Sequence, residues 1–134
     1  MALNRLLLDA AFNGDAAAIE RLAAEGASPD AKDEDGDPAV FRAAHDGHAG
    51  AVSALVRLGA DLDATDGDGW TALMTAAFYG KLECARALLA GGADRTLRAT
   101  ANIHEGKTAL EIAKTEGGMF PNKAQKEMIR LLKA

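Results

Sequence analysis

A chain of 134 residues of which 49% are apolar can bury one continuous core, which excludes a disordered tail and sets the expectation of a single domain. Its lone cysteine, Cys84, excludes an intramolecular disulfide and suits a reducing compartment. The net charge of -5 is uneven: residues 1–94 carry 7 Lys/Arg against 16 Asp/Glu and residues 95–134 carry 8 against 4, so most of the surface repels nucleic acid.

The opening stretch, MALNRLLLDAAFNGD, has too short an apolar run for a secretion signal, and no segment reaches the length of a membrane span. The expectation is a soluble, cytoplasmic protein with no membrane partner. In residues 1–33, Asn4 reads as the cap of a first helix with Leu6, Leu7, Ala10 and Ala11 inward. Gly14 breaks the chain, and Asp15 caps a second helix with Ile19, Leu22 and Ala23 inward, ended by Gly26. Charged outer positions, Arg5, Asp9 and Glu20, make this an N-terminal capping unit.

Residues 34–66 form a second unit. Asp37 is expected to cap its first helix, with Pro38 at the first helical position and Val40, Ala43 and Ala44 inward. His48 reads as a capping or packing residue at the start of the next helix, which carries Val52, Leu55 and Val56. Residues 67–99 repeat the pattern: Thr71 caps, Leu73, Ala76 and Ala77 pack, and Leu82, Ala85, Leu88 and Leu89 line the following helix. The last finger, Arg95 to Glu105, is four residues longer than its predecessor. Residues 100–134 form a fourth unit, a C-terminal cap in which an insertion at 118–122 precedes a helix capped by Asn122. That helix turns Lys123, Lys126, Arg130 and Lys133 to water.

The landmarks keep one interval. Gly69 answers Gly36, Gly80 answers Gly47 and Gly14, and Gly92 answers Gly59 and Gly26, each a step of 33. A unit of this length cannot bury its own apolar face, so the units must stack as a solenoid. Gly69-Trp70-Thr71-Ala72-Leu73-Met74-Thr75-Ala76-Ala77, with Gly80 and the closing Gly92-Ala93-Asp94, resembles the ankyrin-repeat signature over nearly the whole chain. The resemblance implies an all-α repeat solenoid of four units, 1–33, 34–66, 67–99 and 100–134, with protruding β-hairpin loops. It also puts Phe41 where the family usually has histidine.

Chemical motifs fail on inspection. Gly106-Lys107-Thr108 lacks the second glycine of a phosphate loop, since Ala101 stands five residues earlier. Asp33-Glu34-Asp35-Gly36-Asp37 has the alternate carboxylates of a calcium loop, but Pro38 and Ala44 occupy the positions of its obligatory Gly and Glu. His45, His48 and His104 give no metal spacing, and Cys84 reads as a packed thiol. The expectation is therefore no enzyme, no catalytic residue, no cofactor and no metal.

In the ankyrin family the partner lies along the concave surface of hairpin tips and first helices. Carried onto this chain, the resemblance implies contact positions at Phe12 and Asn13; Glu34, Asp35, Asp37, His45 and Asp46; Asp68, Trp70, Phe78 and Tyr79; Lys107, Thr115 and Glu116. Four of the six aromatics fall in this set, with Trp70 and Tyr79 expected to stand outward. The acidic tips favour a basic protein or peptide. A metal- or small-ligand-binding regulator using those tips is the alternative. The protein reads as a monomer unless the aromatic patch or Met119-Phe120 joins two copies into a self-associating scaffold, and Arg95 and Arg98 in the long finger are further candidate contacts.

Overall fold

The computed structural model describes residues 2–101, 104–116 and 122–134, Glu116 by its backbone only. Among the described residues, eight helices run in four pairs: α1 (Ala2–Asn13) with α2 (Ala16–Ala24), α3 (Ala39–His45) with α4 (Ala49–Arg57), α5 (Ala72–Tyr79) with α6 (Leu82–Ala90), and α7 (Ala109–Glu116) with α8 (Lys123–Lys133). First helices pack on first helices, α1 on α3, α3 on α5 and α5 on α7. Second helices do likewise, α2 on α4, α4 on α6 and α6 on α8. Two helical layers result, with the core between them and between successive pairs.

Small side chains make that approach possible. Ala10, Ala11, Ala43, Ala44, Ala76 and Ala77 are all buried along the inner layer, and Leu22, Leu55 and Leu88 recur at the 33-residue step in the outer one. The central helix α5 packs against α3, α6 and α7, so each residue from Ala72 to Ala77 is buried and the helix has no polar face.

Three helix starts match the expected caps. Asp15 accepts from Ala18 N at 3.0 Å, Thr71 from Met74 N at 3.3 Å and Asn122 from Gln125 N at 2.8 Å. Two do not. Asn4 lies inside α1, and its Oδ1 accepts from Ser28 N at 2.8 Å, tying the helix to the loop after α2. Pro38, not Asp37, is the N-cap of α3, because the Asp37 carboxylate turns to Arg42, 3.2 Å away.

Each unit is also bonded to the next outside the helices. Asp30 Oδ1 accepts from Asp61 N at 2.7 Å, and Asp63 Oδ1 from Asp94 N at 2.9 Å, in the loops after the second helices. The first two fingers are each held by one isolated antiparallel bridge, Lys32 with Pro38 and Thr65 with Thr71; the described residues contain no β-strand. No helix among them is long and apolar enough to cross a membrane. The insertion and the Met119-Phe120 pair fall at residues outside those described.

The long last finger lies against the third unit. A Cβ at Gly69 would stand 1.7 Å from Thr100 Oγ1, and Gly69 has φ +75°. Gly36, its counterpart, has φ +82° and open space around it. Gly36→Ala should therefore lose only the backbone penalty of about 1–2 kcal/mol. Gly69→Ala should lose clearly more, measured by urea unfolding; equal losses would mean that the finger is not packed there.

Candidate functional site

The fingers and first helices of the second and third units, with His104 from the last finger, flank an open cavity of about 390 Å³. Its rim holds Asp37, Asp66 and Asp68; its lining includes Phe41, Arg42 and His45 from α3, Thr75, Phe78 and Tyr79 from α5, and Trp70 and His104. Six of the expected contact residues thus line one space: Asp37, His45, Asp68, Trp70, Phe78 and Tyr79.

The aromatic rings form a continuous run. Trp70 meets Phe78 edge-on at 5.4 Å between centroids, Phe78 meets Tyr79 at 4.7 Å, and Tyr79 meets His45 at 4.7 Å. His45 and Phe78 are the same position in successive units, so stacking α3 on α5 aligns them. Tyr79 is 50% exposed and Phe12 56%.

Trp70 departs from its expected outward position. It is only 8% exposed, because His104 from the long finger covers it, with ring centroids 5.4 Å apart. Its indole N–H meets no acceptor among the described residues. Arg95 and Arg98 are likewise engaged within the chain: Arg95 donates to the carbonyls of Leu132 and Ala134 at the end of α8, and Arg98 to Gly106 O and Glu111.

The remaining expected contacts spread away from the cavity. Phe12 lies beneath the Arg42 guanidinium at 5.7 Å, and its carbonyl accepts from His48 Nε2 at 3.0 Å, while Asn13 is exposed at the end of α1. Glu34 and Asp35 are exposed at the tip of the second unit's finger and border a separate hollow with Arg5 and Asp9. Asp46 accepts from His45 Nδ1 at 3.0 Å. Lys107 Nζ donates to Thr115 Oγ1 at 3.3 Å, and the Glu116 side chain is outside the described set.

The acidic fingers carry internal bonds. Asp33 Oδ1 accepts from Asp35 N and Asp37 N, and Arg42 lies 3.6 Å from Asp33 Oδ2 and 3.2 Å from Asp37 Oδ2. Asp33, Asp35 and Asp37 bring carboxylate oxygens within 4.8 Å of one another, yet the Arg42 guanidinium already supplies positive charge to two of them. Asp66 Oδ1 makes the equivalent bonds to Asp68 N and Trp70 N, both at 2.9 Å. Sequence reasoning passed over Arg42 and Thr75 and read Asp66 only as part of an acidic finger tip; comparing the units position by position would have found them. Elsewhere, burial pushes the Cys84 thiol up to about 11, which keeps it protonated and unreactive.

Helix pairs stacked at a 33-residue step define an all-α helical-repeat protein. The family profile described as ankyrin repeats (3 copies) matches residues 7–99, and the chain belongs to the ankyrin-repeat family. Such repeats generally mediate protein–protein interaction, and proteins of this kind are typically not enzymes. No curated protein matches the chain.

Burial raises the Asp37 carboxyl above its ordinary range, and the negative charges of Asp33, Asp66 and Asp35 raise it further against the lowering effect of Arg42. A carboxyl raised in the folded state costs stability once it ionises, so this cost is absent at pH below the ordinary carboxylate value. It is complete above the raised one. The stability of wild type relative to Asp37→Asn should accordingly fall as pH rises through that window, followed by thermal unfolding from pH 3 upward. A relative stability that rises with pH would show the Arg42 attraction dominating.

Proposed function

We propose that this chain is a non-catalytic protein-interaction module that holds a basic protein or peptide on its concave face, centred on the second and third units. The observation that carries the reading is the ring run from Phe78 through Tyr79 to His45 beside a cavity rimmed by Asp37, Asp66 and Asp68. Half-exposed aromatic rings supply contact area at small entropic cost, and a carboxylate rim attracts and orients cationic partners. The acidic excess of residues 1–94 extends the same field over the face. Trp70 belongs to this reading as the floor beneath Phe78, not as an outward anchor. Phe12 and Asn13 extend the surface toward the first unit, and Lys107, Thr115 and Glu116 toward the fourth.

Burial of Trp70 makes Tyr79 the informative substitution, since its removal leaves the core intact. Peptides selected on this protein from a random displayed library should be enriched in Lys/Arg. They should lose at least tenfold in affinity on Tyr79→Ala, about 1.4 kcal/mol, while Arg86→Ala on α6 leaves them unchanged. Rising salt should weaken them, mainly through the association rate. Binders that ignore Tyr79→Ala but are lost with Arg86→Ala would move the site to the outer helices.

A further inference from the structure

The second and third units treat the same place differently. In the second unit, Arg42 projects from α3 over the Phe12 ring of the preceding unit and pairs with Asp33 and Asp37. One step of 33 residues on, Asp66 replaces Asp33, His45 replaces Phe12, and Thr75 replaces Arg42. One acid and a ring are kept, Trp70 stands where the second acid, Asp37, was, and the arginine is replaced by a short, buried side chain. Asp66 repeats the Asp33 turn through Oδ1, yet forms no ion pair among the described residues. Asp66, Thr75 and His45 all line the cavity, and Arg42 borders it from the second unit.

We propose that this cavity receives one arginine side chain from the partner, which takes in the third unit the place that Arg42 fills within the second. The proposal rests on the reading of the concave face as the binding face and names what enters it. A guanidinium suits the lining better than an ammonium because it is flat. It can lie against His45 and Tyr79 while its N–H groups point to the Asp66 and Asp68 carboxylates. The balance of charge agrees: Asp37, Asp66 and Asp68 line the space against Arg42 alone, and Arg42 is already paired. Asp37 also feels Asp66 across the gap as a like charge, which a cation between them would relieve.

The test uses the intact protein, labelled with nitrogen-15, and four small probes: the N-acetyl methylamides of arginine, lysine, citrulline and norleucine. The arginine probe should shift the Trp70 indole N–H and the Asp66 and Thr75 amides saturably, in the millimolar range. Citrulline, the same shape without charge, should bind at least tenfold more weakly, and lysine and norleucine more weakly than arginine. Asp66→Asn keeps an oxygen for the turn's two N–H bonds and should weaken the arginine probe at least fivefold. Asp63→Asn, the same charge change outside the cavity, should leave it within twofold. Equal binding of arginine and citrulline, equal binding of lysine, or indifference to Asp66→Asn would each overturn the proposal. Displayed peptides that need Tyr79 but contain no arginine would overturn it too, while leaving the concave face standing as the binding face.

Discussion

No helix pair in this protein can bury its own apolar side, and every other feature follows from the contact between successive pairs. The inner layer is closed by alanines at equivalent positions, Ala43 and Ala44 in the second unit and Ala76 and Ala77 in the third, all fully buried. Nothing larger would let α3 and α5 approach as they do. Burial in a stacked array is a nearest-neighbour quantity, so α5, covered by α3, α6 and α7, is the most thoroughly enclosed helix. Its last two residues, Phe78 and Tyr79, emerge from that enclosure onto the finger side.

The same stacking produces the candidate site. A 33-residue step carries His45 next to Tyr79 and brings the Asp37 and Asp66 fingers side by side, so one unit's aromatic and acidic residues meet those of the next. Repetition alone would fill every such junction alike. The junctions differ because Arg42 has Thr75 as its counterpart, and because the long last finger lays His104 over Trp70. At one junction Arg42 pairs with the finger acids Asp33 and Asp37; at the next, Thr75 stands in its place and Asp66 forms no ion pair among the described residues.

Much of this was legible in the chain itself. The glycine interval gave the unit length, and Asp15, Thr71 and Asn122 start their helices as side-chain chemistry requires. The clustering of aromatics near Phe78 and Tyr79 pointed to the cavity. What escaped depended on partners distant in sequence. Asn4 and Asp37 have the chemistry of caps, but Ser28 N and the Arg42 guanidinium claim them. Trp70 looks exposed by its position in a finger, but His104 from the longer last finger and Phe78 cover it. Arg95 and Arg98 look free for the same reason, although carbonyls at the end of α8 hold Arg95 and Gly106 O, just past the finger, holds Arg98.

The claim that most needs a direct test is that recognition takes place on the finger side of the second and third units. Hydrogen–deuterium exchange of the protein with and without a saturating selected peptide would map it. Protection should appear over residues 37–46 and 66–79, with the outer helices α4 and α6 unchanged. Protection centred on residues 49–57 and 82–90, with the finger side unaffected, would contradict the account.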